Sequence, residues 1–145
     1  MATDPKTRTG LGFVPVDLTK KPNSCAPMAW TLVTGLPFEQ VFAELQGYQP
    51  KEKIERWGTL ISSSIKFAKR HGYELVEKDC LYHRGLGRLA SQLLRAADLP
   101  RKPVVALVRG HAVAVVDHVV YDTWDCRGKR SRKLMGYFVK KYQPS

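Results

Sequence analysis

The chain lacks any apolar run approaching the roughly 20 residues that a membrane-spanning helix requires. Its opening stretch, "MATDPKTRTG", also lacks the apolar segment of a secretory signal. The expectation is a cytoplasmic protein with no membrane partner. Cysteine is scarce as well. Cys25, Cys80 and Cys126 are odd in number, far apart and without a C-x-x-C pair, which argues against both a disulfide framework and a zinc site. Free thiols and no metal are therefore expected. Neither G-x-G-x-x-G nor a phosphate-binding loop motif occurs, and no cofactor is expected. Acidic residues are in short supply: 13 Asp and Glu face 24 Lys and Arg, a formal net charge of +11. Such a field attracts nucleic acid or an acidic protein, although the sequence motifs of nucleic-acid-binding modules are absent.

What is present is the composition of a folded protein, with 43% hydrophobic and 26% charged residues over 145 positions, enough for one domain. Residues 1 to 24 are rich in Pro and Gly, with only "GFVPVDL" apolar, and read as an N-terminal arm packed across a single domain of residues 25 to 145. From Cys25, apolar residues at Cys25, Met28, Ala29 and Leu32 predict a short helix capped by Asn23 or Ser24 and stopped at Gly35. Pro37, Phe38, Val41, Phe42 and Leu45 predict a second helix ending at Gly47, forming a hairpin with the first. "TLISSSIKFAKRHG" predicts a third, with Ile61, Ile65 and Ala68 on its buried face. Leu86, Leu89, Ala90, Leu93, Leu94 and Ala97 trace a fourth.

The period then changes. "YELVEK" reads as an edge strand, "KPVVALV" as a central strand buried on both faces, and "HAVAVVD", "HVVYDTWD" and "KLMGYFVKK" as further strands of an antiparallel meander. Helices followed by antiparallel strands define an α+β fold, with N-terminal helices packed on a C-terminal antiparallel sheet.

Thiol catalysis needs a thiolate, a base within hydrogen-bond reach, and a group that orients the base. Cys25 opens a helix, where the positive end of the helix dipole and backbone N–H groups favour a thiolate and can bind an oxyanion. His111 follows Gly110 at the head of a strand. A two-residue turn at Asp117 and His118 pairs Val116 with Val119, sets Val113 opposite Asp122 and His111 opposite Trp124, and so puts His111, Asp122 and Trp124 on one face. Asp122 is the diagonal neighbour of His111 and the candidate orienting acid, with Trp124 as a shield and Asp125 in reserve. Cys80 and Cys126 have no such surroundings and read as structural or incidental. His118 reads as a solvated turn residue, and His71 as a cation suited to a helix end.

These residues resemble the papain-like cysteine peptidase superfamily. A helix-opening Cys, a Gly-His at the head of a hydrophobic strand and an acid at the far end of the next are closest to its small members, such as bacteriocin-leader peptidases and cell-wall amidases. "NSCAPMAWTLVTGLPFEQVFAEL", "GT" at 58 to 59, "RGHAVAVVDHVVYDT" and a terminal "YFVKK" look like phage-encoded members. The resemblance covers roughly residues 23 to 140. It implies a papain-like fold with Cys25 as nucleophile, His111 as general base and Asp122 as orienting acid. The implied reaction is hydrolysis of a protein or peptide amide through a thioester, peptidase, amidase or deamidase-like, in the host cytoplasm. Papain relatives place a Gln shortly before the Cys to complete the oxyanion hole; here that stretch reads "DLTKKPN", and Asn23 is the candidate substitute.

Arg127, Lys129, Arg130, Arg132 and Lys133 lie in "RGKRSRK", a basic loop just past the acid, and are candidates for binding substrate or an acidic partner. They also support an alternative reading: a non-catalytic basic module of the same fold that captures a host protein or nucleic acid, with salt-sensitive binding.

Overall fold

The computed structural model describes residues 9–17, 24–49, 59, 61–77, 96–108, 111–127 and 134–141. The expected fourth helix lies outside them, apart from a 3-10 turn at Ala96–Asp98, as do Cys80 and His83. Strand β1 (Gly12–Pro15) precedes helices α1 (Cys25–Thr34), α2 (Phe38–Tyr48) and α3 (Ile61–His71). Strands β2 (Tyr73–Glu77), β3 (Val104–Val108), β4 (His111–Val116), β5 (Val119–Asp122) and β6 (Leu134–Lys140) follow. This is a mixed α+β fold: N-terminal helices against a six-stranded sheet in the order β1-β5-β4-β3-β6-β2.

The central strand is β3, whose five residues are all buried. Its continuous apolar run is explained by two cores, one on each face of the sheet. Val105 and Leu107 join Ala112, Ala114, Phe138 and the helices. Val104, Ala106 and Val108 join Val113, Val115, Val120, Leu11, Leu99 and Cys126 on the other face. The helix-side core centres on Trp30, fully buried among Phe67, Tyr73 and Phe138 at ring-centroid distances of 4.8, 5.3 and 5.1 Å. Its indole N–H donates to Ser64 Oγ at 3.2 Å.

That hydrogen bond explains one correction. The buried face of α3 is Ser63, Ser64, Phe67 and Ala68, whereas Ile61 and Ile65 are exposed. A buried indole requires an acceptor, and Ser63 in turn donates to Gln49 Oε1, so two small polar residues occupy positions that hydropathy assigns to isoleucine.

The hairpin expected at Asp117 and His118 forms, with both residues at positive φ (48° and 62°) and the pairings Val116 with Val119, Val115 with Val120 and Ala114 with Tyr121. His118 is not simply solvated: its Nε2 donates to the Leu99 carbonyl at 2.9 Å. Two features of the sheet depart from the expected meander. Strand β6 returns to the far side of β3, where it pairs antiparallel with β3 and with the edge strand β2. The N-terminal arm contributes β1, which pairs parallel with β5 and extends the sheet beyond the β4–β5 hairpin.

Candidate active site

The site forms where three segments end. Ser24 occupies the N-cap of α1, and the helix terminates at Gly35, whose φ of 78° lets its N–H reach the Thr31 carbonyl. The intrahelical ladder begins with Met28 N donating to Ser24 O. Pro27 has no N–H and fits the first turn without loss, and the Ala26 backbone N–H is directed at the Cys25 sulfur. No acidic residue offsets the helix dipole there.

His111 is the first residue of β4 and Asp122 the last of β5. Strand alternation places both on the face that carries Val113, Val115 and Val120, while α1 packs on the other. Position at the sheet margin lets the imidazole meet a helix from the opposite layer. His111 Nε2 donates to Asp122 Oδ2 at 2.5 Å, with side-chain exposures of only 8% and 1%. The second carboxylate oxygen accepts from the Thr123 N–H at 2.7 Å. With Nε2 committed to the acid, Nδ1 is the ring nitrogen left for Cys25, whose thiol lies close enough to the His111 side chain and to the backbone of Ala112 and Ala26 for each to favour its ionised form.

The electrostatics follow from these contacts. Burial pushes the Cys25 thiol up, but the His111 hydrogen bond, the Ala112 backbone, the His111 charge and the Ala26 backbone outweigh it, and the thiol lies below its ordinary value. Burial pulls His111 down, but hydrogen bonds to Asp122 and Cys25 and the charges of both hold it at about 9. Each partner stabilises the charged form of the other, which favours a thiolate beside an imidazolium.

Trp124 covers this pair. The strand ends at Asp122, so Trp124 does not pair across the ladder with His111 as the register suggests; the chain bends at 123–124 and lays the indole on the imidazole, 5.0 Å between centroids at 34°. Asp125 does not orient His111. Its carboxylate is held by Arg127, through Nε to Oδ1 and NH2 to Oδ2, both at 3.0 Å. Arg127, expected to face a partner, is instead mostly buried: it also donates to the Leu11 carbonyl, and its guanidinium lies 5.5 Å from the centroid of the Phe13 ring. Asn23, Gly110, Lys129, Arg130, Arg132 and Lys133 lie outside the described residues. Cys126 is a buried core residue, as expected.

Sequence reasoning missed two contributors. The Ala112 backbone is one, since main-chain groups carry no sequence signal. The other is β1: Val16 N donates to the Asp122 carbonyl at 2.8 Å, fixing the residue that holds His111. Among the described residues, no group of three or more His, Cys, Asp or Glu could hold a metal ion, and no helix is long and apolar enough to cross a membrane. Comparison with protein-family models, curated proteins and solved structures finds no match for this chain.

Proposed function

We propose that the chain is a cysteine-dependent hydrolase of papain-like type, peptidase, amidase or deamidase-like, acting through Cys25, His111 and Asp122. The observation that carries this reading is His111 bonded to the buried Asp122 carboxylate, with the helix-opening Cys25 thiol near enough to the ring for the imidazole to favour its thiolate. In the reaction, the Cys25 thiolate attacks the carbonyl carbon and the carbonyl π electrons move onto oxygen. His111 delivers its proton to the leaving nitrogen as the C–N bond breaks, leaving a thioester and an amine. Water then gives a proton to His111 as its oxygen attacks the thioester. The C–S bond breaks, an acid departs, and thiolate and imidazolium are restored. Asp122 keeps the ring oriented and offsets its charge. The oxyanion is met by the backbone N–H of Cys25, with the Asn23 amide as the second donor.

Labelling with a thiol-directed acyl electrophile at neutral pH tests the reading. Cys25 reacts well ahead of Cys80 and Cys126 in folded protein; equal rates at the three thiols refute it.

A second reading rests on α3, whose exposed face carries Lys66, Lys69 and Arg70 beside Ile61 and Ile65 and no acid. Together with the net charge of +11, it supports a binding module for an anionic partner. A Cys25→Ala variant that keeps its full biological effect, with salt-sensitive retention on heparin or RNA, favours that reading over the enzyme.

A further inference from the structure

We infer that Arg127 is a positioning residue for the site, clamping the segment 122–127 to the N-terminal strand so that Asp122 and Trp124 stay against His111. The inference rests on the proposed role of the Cys25, His111 and Asp122 cluster. It begins with a gap in the sheet. The β4–β5 ladder ends at the pair Ala114 and Tyr121, one residue short of Asp122. The backbone of Asp122 is held instead from the other side, by β1, in the register Pro15 with Asp122 and through the Val16 N–H. Both side-chain oxygens of Asp122 are already engaged, by His111 and by the Thr123 N–H.

Beyond Asp122 the chain leaves the sheet, carries Trp124 over the imidazole, and is caught again at Arg127. That side chain ties three places together: it grips the Asp125 carboxylate in a two-pronged pair, donates to the Leu11 carbonyl just before β1, and covers the Phe13 ring within β1. The Arg127 backbone N–H also donates to Asp125 Oδ1 at 3.0 Å, which closes the turn. Between them Cys126 is buried against the core that includes Leu11. Trp124 thus stands on a short span fixed at both ends to β1, one end by main-chain bonding and the other by a guanidinium. Only Arg has the planar fork for this arrangement; Lys keeps the charge and loses the two-pronged geometry.

The sign of one measurement separates positioning from simple electrostatics. Removing a cation near His111, or freeing the Asp125 carboxylate, raises the proton affinity of His111. Letting Asp122 drift from the ring lowers it. The His111 ring is titrated by NMR in wild type, Arg127→Met and Arg127→Lys, with thermal unfolding recorded alongside. The expected result is a wild-type midpoint near the value of about 9 set by its contacts. Arg127→Met shifts it down by at least about tenfold in proton affinity, towards the ordinary value of about 6.5. Arg127→Lys, which conserves charge and guards against a misfolded Met variant, gives a smaller shift in the same direction. A midpoint that stays in place or rises in a folded variant overturns the inference. Acyl-electrophile labelling of wild-type Cys25 is read separately: its failure refutes the enzyme reading, while the His111 titration still decides whether Arg127 positions the ring.

Discussion

Among the described residues, His111 and His71 each meet a carboxylate, and the two pairs differ in what surrounds them. His111 meets Asp122 at 2.5 Å where three segments end, with a thiol on the other side of the ring. His71, at the end of α3, meets Glu44 of α2 at 2.8 and 3.0 Å. Glu44 is shared: it also accepts from Tyr48 Oη at 3.0 Å and pairs with Arg70 at 3.5 Å. The His71 ring lies on Phe67, 4.2 Å between centroids. A carboxylate divided among three donors on two helices fastens those helices together. A carboxylate that gives one oxygen to a buried imidazole and the other to the next main-chain N–H holds that ring in place. On the proposed reading, what separates the two pairs is the third group, Cys25, and not the His–acid contact itself.

The comparison is broken most severely at the thiol. Cys25→Ala abolishes acyl-electrophile labelling at that position and any amide hydrolysis, while the fold is retained because Ala suits a half-buried first turn; residual hydrolysis in the variant places the chemistry elsewhere. Next in size, His111→Ala lowers the Cys25 acylation rate about 10²- to 10⁴-fold at neutral pH, and Asp122→Asn gives a loss within that range by misorienting the ring. Stopped-flow acylation measures both, and a loss below tenfold in either variant contradicts the assigned roles.

Glu44→Gln has the opposite profile. It costs about 1 to 3 kcal/mol in denaturant unfolding, because it weakens hydrogen bonds made by a charged, mostly buried acceptor, and leaves Cys25 acylation unchanged. A fall in acylation there erases the distinction between the two pairs.

The smallest effect is on stability against pH. His111 is raised when folded, so its stabilisation is complete below its ordinary value of 6.5 and is lost as pH rises through about 9. Cys25 is lowered when folded, so its stabilisation is present above its ordinary value of 9.0 and is lost as pH falls through the lowered value. Where the two windows overlap, the slopes oppose each other and stability is nearly flat. Cys25→Ser removes one slope, and Tm then declines as pH rises from 6.5. A wild-type decline equal to that of the variant shows that the thiol and the ring are not coupled.

Much of the frame could be read from the chain. The run "KPVVALV" has apolar residues at both parities, and β3 is the strand with a core on each face. Asp117 and His118 tolerate positive φ, which fixed the hairpin register and with it the approach of Asp122 to His111. The misreadings share a cause. In α3, Ser64 is buried because an indole elsewhere in the chain needs an acceptor, so the local pattern ranks Ile61 and Ile65 above it. In β1, the four residues "GFVP" are mostly exposed and include a proline, so nothing marks them as a strand; they pair because β5 presents an unpaired edge. Asp125 reads in sequence as a spare acid, but Arg127, two residues on, takes both its oxygens. Each depends on a partner distant in sequence or on side-chain geometry, which periodicity does not encode.

On the proposed reading, Cys25 and His111 share a proton that sits on the ring. Ultraviolet thiolate absorbance across a pH titration, taken as the difference between wild type and Cys25→Ser, measures it directly. A thiolate that forms below the ordinary thiol value of 9.0, and that forms at higher pH in His111→Ala, where burial is no longer opposed by the imidazole, is the predicted result. A wild-type thiolate that appears only near 9.0, unchanged by loss of the imidazole, contradicts it.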